Sequence, residues 1–297
     1  MKRLISANAS DILKMSASEL KQSIKASEGR TILSENIAIY EPTVLDITNS
    51  EIARAFGADL ILLNMVDVFE PKIWGLDSQD DFVSQLKYLT GAPIGINLEP
   101  VDPQAEMLEN VWQVSEGRLA NEKTLKKIEE LGMDFVCFTG NPGSGVTNKA
   151  IIESIKLAKG MFSGLIIAGK MHGAGVNEPV NDLDHIKRMI DVGADIILVP
   201  SIGTIPGFTH DQLIEVVQAA HQQDALVMSA IGTSQEGADP ETIRYMAIQN
   251  KICGVDIQHV GDGGYGGLTP VMNIFELSRA IRGIRHTVSR MARSVNR

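Results

Sequence analysis

Val255-Asp256-Ile257-Gln258-His259-Val260 runs straight into Gly261-Asp262-Gly263-Gly264-Tyr265-Gly266-Gly267, and a helical pattern begins near Thr269-Pro270. Five glycines in seven residues sit between an apolar strand and a helix. Strand, glycine loop and helix N-terminus together aim unhindered backbone N–H groups at an anion. A tight turn without a ligand is the competing reading. The position of the unit decides between fold classes. A doubly wound sheet carries its glycine loop after the first strand; here it follows the last.

Working back from that unit, seven more apolar runs alternate with amphipathic stretches. The strand patterns begin at Thr31, Asp59, Pro93, Asp134, Leu165, Asp195 and Ala225. The helical patterns cover residues 49–57, 77–89, 121–131, 148–159, 182–192, 209–222 and 240–250. Leu213, Val216, Val217 and Ala220 recur at helical spacing. Asn121, Asp182 and Thr209 are N-cap types, and Gly57, Gly132, Gly193 and Gly254 stand where helices stop. The strands are continuously apolar, as when both faces are buried. Eight such units predict a (β/α)8 TIM barrel. Residues 30–297 form the barrel of a single domain, and residues 1–29 a helical extension over its bottom.

The 297 residues carry a formal charge of −10. An acidic balance speaks against nucleic-acid partners, though a local anion site remains compatible with it. Cys137 and Cys253 form no metal or disulfide pattern. The first residues lack a signal-peptide core, and no apolar run reaches membrane-spanning length. A cytoplasmic protein away from membranes, forming a homo-oligomer, is the expectation. The arginines at 279, 282, 285, 290, 293 and 297 read as a solvated tail favoured by the helix dipole.

In a TIM barrel the ligand lies at the C-terminal strand ends. That rule selects Glu35, Asn64, Asn97, Glu99, Thr139, Asn141, Lys170, His172, Ser201, Gly232, Thr233, Ser234, His259, Gly261, Asp262, Gly263 and Gly264. Lys170 follows an apolar strand, and alternation puts His172 on the same face. A desolvated lysine serves as imine-forming nucleophile or base; a charged one clamps a phosphate, carboxylate or enolate. The bland alternative pairs it with Glu35 or Glu99. His172, Glu99 and Glu35 are the candidates to move protons. Backbone amides and hydroxyls of Gly232, Thr233 and Ser234 complement the final glycine loop, and loops 7 and 8 form the usual barrel phosphate site. Carboxylates facing one pocket suit Mg2+, but no compact acidic or His-rich spacing marks a metal site, so no cofactor is assigned. Residues 100–120, with Trp112, read as an active-site lid or a subunit contact.

Three segments carry a family resemblance: Pro93-Ile94-Gly95-Ile96-Asn97, Val146-Thr147-Asn148-Lys149-Ala150-Ile151-Ile152-Glu153, and Gly193-Ala194-Asp195-Ile196-Ile197-Leu198-Val199-Pro200-Ser201. In these the chain resembles the ribulose-phosphate-binding group of TIM barrels, and within it the BtpA/SgcQ-like family. The resemblance implies the barrel and a phospho-ligand. The 261–267 loop departs from that pattern. With the strand-end residues, the expectation is a lyase or isomerase of a small phosphorylated or carboxylated metabolite, a sugar phosphate foremost. A non-catalytic barrel that binds a phospho-metabolite is the rival. A phosphoenolpyruvate-mutase-like lyase is weaker, since its acidic metal cluster is missing.

Overall fold

A computed structural model describes residues 2–264 and 266–297; Tyr265 of the glycine loop lies outside them. Eight parallel strands close into a barrel in sequence order, β8 pairing with β1. They are β1 (Thr31–Ile37), β2 (Leu60–Asn64), β3 (Ile94–Leu98), β4 (Phe135–Phe138), β5 (Leu165–Gly169), β6 (Ile196–Pro200), β7 (Leu226–Ile231) and β8 (Ile257–Val260). Helices α1 (Ala9–Ile12) and α2 (Ala17–Lys25) precede β1. One helix then follows each strand: α3 (Asn49–Phe56), α4 (Phe82–Thr90), α5 (Glu122–Glu130), α6 (Asn148–Lys159), α7 (Leu183–Asp191), α8 (His210–Gln222), α9 (Pro240–Cys253) and α10 (Val271–Ala292). The (β/α)8 barrel read from the periodicity is therefore the fold. Helix starts are set by side chains that accept the first orphan amides, among them Thr48, Asn121, Thr147, Asp182, Thr209 and Asp239.

Alternation along each strand divides the apolar residues into two cores. Ile166 and Ala168 of β5, with Ile197 and Val199 of β6, join the layer between strands and helices. Leu165, Ile167, Ile196 and Leu198 point into the barrel, where they meet Leu4, Ile12, Leu20 and Ile24 of the N-terminal extension. The extension thus plugs the end where the strands start. Full burial of each such side chain contributes about 1.5–3 kcal/mol.

The same end holds a buried charge cluster, which corrects the solvated-tail reading for Arg282 and Arg290, while Arg279, Arg285 and Arg297 are exposed. Arg282 and Arg290 are buried on Asp59, at 2.6 Å and 2.7 Å. Asp59 also accepts the Ile32 amide at 2.9 Å. Arg290 donates to the Leu4 carbonyl at 2.7 Å, and Arg54 donates to the Arg290 carbonyl at 2.9 Å. The helical register of α10 is broken at Gly283, whose φ of 69° lies in the left-handed region. The arginines therefore bolt α10, α3 and the N-terminal turn to the head of β2.

Candidate active site at the carboxyl ends of the strands

The inward parity of each strand continues into the loop beyond it and builds a cavity of about 170 Å³. Glu35, Asn64, Asn97, Thr139, Asn141, His172, Gly232, Thr233, Ser234, Gly261, Asp262 and Gly263 line it, as do Gly140, Pro142, Met171 and Glu236. The first twelve were selected from the sequence; the last four were not.

Glu35 forms part of the floor. His259, inside the barrel on β8, meets its Oε2 through Nε2 at 2.9 Å, and both are buried. His259 does not itself line the cavity but supports the residue that does. Above them, three amides interlock. Asn64 Oδ1 accepts from its neighbour's backbone, Met65 N–H, at 2.8 Å. That donor fixes which end of the Asn64 amide is oxygen. Its Nδ2 then donates to Asn141 Oδ1 at 2.9 Å and to Asp262 Oδ2 at 3.0 Å. Asn97 Nδ2 donates back to Asn64 Oδ1 at 3.2 Å.

Asp262 is the most perturbed group here. Burial first, then the nearby charges of Glu35 and Glu236, push its carboxyl up to about 8. It holds its proton at neutral pH and can donate it. Burial pulls the His172 imidazole below its ordinary value; its Nδ1 accepts from the Ala174 amide at 3.0 Å, so the neutral ring carries its proton on Nε2 and presents a donor. Burial also raises Glu236.

Glu236 changes the meaning of the glycine loop. Its Oε1 accepts the Gly263 amide at 2.8 Å, while Thr269 Oγ1 and Asn273 Nδ2 hold its carbonyl at 2.7 Å and 2.8 Å. A Cβ at Gly263 would overlap Glu236 Oε1, and one at Gly261 would come within 2.9 Å of it. The glycines make room for the chain's own carboxylate, which takes the amide that a phosphate was expected to use. The sequence signal was there: an acid three residues past Thr233, opposite a glycine loop with no cation beside it.

Five selected residues lie outside the cavity wall. Lys170 is buried, and its ammonium sits on Glu178, which also accepts the Asn148 amide at the start of α6 at 2.6 Å. Burial lowers it, with Glu178 opposing. The alternation argument failed for a definite reason. Lys170 shares parity with Ile166 and Ala168, which face the helices, and the strand ends at Gly169 (φ 147°), so His172 is no longer in phase with it. Ser201 likewise faces α9, where Asn250 donates to its hydroxyl. Glu99 is paired with Arg118 and accepts the Asn141 amide at 3.1 Å, so it positions Asn141. Gly264 packs against the Leu268 carbonyl, and His259 lies beneath Glu35.

The wall is strained where it meets the cavity. Thr233 and Ser234 take φ of 57° and 68°. A β-branched residue in that region is an outlier, and such strain gathers at functional sites. The 100–120 segment lies across the rim: Leu108 N donates to Gly175 O at 2.8 Å and Trp112 N to Gly143 O at 2.9 Å. Among the described residues no set of three or more His, Cys, Asp or Glu side chains converges to hold a metal ion. No described helix is long and apolar enough to cross a membrane.

Solved structures share the fold at low identity. The Amycolatopsis orientalis BexX/CysO complex has a TM-score of 0.53 at 12% identity, covering 89% of this chain and 92% of that one. 2,3-Dimethylmalate lyase, a PEP mutase/isocitrate lyase superfamily member, has 0.50 at 10%, covering 83% and 81%. Thiamine phosphate pyrophosphorylase from Pyrococcus furiosus has 0.48 at 13%, covering 86% and 96%. No curated protein sequence matches significantly. The BtpA/SgcQ-like resemblance finds no support in the family comparison, which returns a different match spanning residues 5–297. The chain belongs to the family described as Domain of unknown function (DUF7916).

Proposed function

We propose that this protein is an enzyme of the lyase or isomerase type, acting in the cytoplasm on a small hydroxy- or oxo-metabolite by proton transfer. One observation carries the reading: a protonated carboxyl, Asp262, shares one small cavity with the Glu35 carboxyl, whose charge helps keep that proton in place, and with the neutral His172 imidazole. Opposed protonation states of this kind are what general acid–base catalysis requires. Asp262 donates toward a carbonyl or leaving hydroxyl, Glu35 takes a proton from carbon or oxygen, and His172 Nε2–H holds the substrate oxygen. The Asn64–Asn97–Asn141 amides and the strained Thr233–Ser234 turn orient the substrate. A lyase sharing the fold supports the reaction class.

Lys170 has no part in this reading, and borohydride added with carbonyl compounds should form no adduct there. The function is tested in D2O, by following exchange at carbon next to a carbonyl in pyruvate, glyceraldehyde, dihydroxyacetone and aminoacetone. Catalysed exchange should fall off on the alkaline side near pH 8, as Asp262 loses its proton. Exchange that ignores both Asp262→Asn and His172→Gln would sink the assignment. Complete absence of exchange would favour the binding-only barrel.

A further inference from the structure

The cavity wall holds buried side-chain oxygens that no donor among the described residues reaches. Glu236 Oε2, Asn97 Oδ1 and Thr139 Oγ1 are buried and have no partner in the protein among the described residues. The orientation of Asn97 is not arbitrary. Met65 N–H fixes Asn64, Asn64 Oδ1 claims Asn97 Nδ2, and the Asn97 oxygen is left without a donor. Three carboxyl groups, those of Glu35, Glu236 and Asp262, line the same space, and no lysine or arginine does. A buried acceptor without a donor is costly, so a ligand that brings donors is favoured and one that brings only acceptors is not. A phosphate group is an acceptor and an anion; both properties are wrong for this wall.

We infer that the substrate carries an ammonium group, and is a small amino-alcohol or aminated hydroxy compound whose N–H donors satisfy Glu236 Oε2 and Asn97 Oδ1. The inference rests on the acid–base reading of this cavity and names the substrate class for it. About 170 Å³ accommodates only a handful of heavy atoms beside those groups. The ammonium seats against Glu236 and leaves Asp262 and His172 to act on the rest of the molecule. Binding is then linked to protons. Glu35 and Glu236 help hold the Asp262 proton, and a cation placed among them favours the ionised carboxyl.

Three probes of similar size separate the alternatives: 2-aminoethanol, ethylene glycol and inorganic phosphate, each titrated into the whole protein in EDTA-containing buffer near pH 7. 2-Aminoethanol should raise the thermal midpoint and bind at least about tenfold more tightly than either of the others. Its calorimetric heat should change between buffers of different ionisation enthalpy in the sense of proton release. Glu236→Gln should remove the preference; the isosteric amide still accepts from Gly263, so the loop keeps its shape. Asp262→Asn should bind 2-aminoethanol without releasing a proton, a readout that survives if Glu236→Gln does not fold. Tighter binding of phosphate, equal binding of ethylene glycol, or no binding of 2-aminoethanol at about 50 mM, well above a millimolar dissociation constant, would each overturn the inference. None of these outcomes depends on turnover. A positive binding result without D2O exchange would leave the substrate class standing and remove the catalytic reading.

Discussion

The two ends of the barrel bury charge in opposite ways. At the strand starts, Asp59 is paired with Arg282 and Arg290, and Arg54 donates to the Arg290 carbonyl. At the strand ends, Glu35, Glu236 and Asp262 face a cavity with His172 and no arginine or lysine on its wall. Burial bears on both: it lowers Arg54 to about 10 and raises Asp262 to about 8. The bottom spends its polar groups on carbonyls and one carboxylate, joining N-terminal turn to C-terminal helix. Among the described residues both ends keep unpartnered buried atoms of opposite kind: guanidinium N–H groups of Arg54 and Arg282 at the bottom, and Glu236 Oε2, Asn97 Oδ1 and Thr139 Oγ1 around the cavity at the top. The first set lies among ion pairs that tie elements together and the second lines a cavity, in line with how such barrels divide stability from function.

The sharpest way to break that contrast is to remove the counterion at the closed end. Asp59→Ala leaves two buried guanidiniums without a carboxylate and takes the acceptor from Ile32 N–H. The expected loss is about 3–5 kcal/mol, measured by denaturant unfolding. D2O exchange per folded molecule should be unchanged. A loss under about 1 kcal/mol would mean the arginines find other partners and the cluster is no bolt.

At the open end the equivalent change has the opposite sign for stability. Asp262 ionises at about 8 in the fold against an ordinary 3.8. Between those values the native chain holds a proton that the unfolded chain has lost. The contribution of this group is therefore fully present below about pH 4 and declines as pH rises toward 8. Asp262→Asn lacks the decline, so it should equal or exceed the wild type in stability at pH 8. It should lose about 10²–10⁴-fold in catalysed exchange. A variant that is less stable than wild type at pH 8 would show that the carboxyl is anchored after all.

How far the sequence revealed this follows the same division. The barrel was legible because eight apolar runs and their caps repeat, and repetition survives small errors at each boundary. Inward and outward faces were not legible, because both faces of a parallel strand are apolar. Lys170 and Ser201 were assigned to the wrong face for that reason, whereas Asn64, Asn97 and Thr139 showed themselves as polar residues at strand ends. Arg282 and Arg290 looked like part of a tail because their partner, Asp59, is more than two hundred residues away. Glu236 was passed over because a glycine loop suggests an external anion, and nothing in local sequence says the anion is the chain's own.

That internal pairing can be tested for a smaller effect. Gly263 has no positive φ, so alanine is acceptable to the backbone, yet its Cβ would overlap Glu236 Oε1. Gly263→Ala should cost about 1–3 kcal/mol as an overpacked contact. Combined with Glu236→Ala, most of that cost should vanish, since the overlapping atom is gone; the coupling in a double-mutant cycle is the measurement. Additive costs would place the glycine requirement elsewhere in the loop.

The smallest expected effect compares strain at the two ends directly. Asp224, after α8 at the bottom, and Thr233, at the cavity, both take φ of 57°. Asp224 has only an exposed pair with Lys25 at 2.6 Å. Replacing it with glycine relieves a left-handed residue, and stability should rise by about 0.5–1 kcal/mol with exchange unaltered. Thr233→Gly relieves the same strain but gives up hydroxyl bonds to the Gly232 and Thr204 carbonyls at 2.7 Å and 3.1 Å. Its stability should stay within about 1 kcal/mol of wild type, while catalysed exchange falls, because the turn no longer holds the cavity wall in one shape. If both glycine variants raise stability equally and neither alters exchange, strain at the top has no more to do with the site than strain at the bottom.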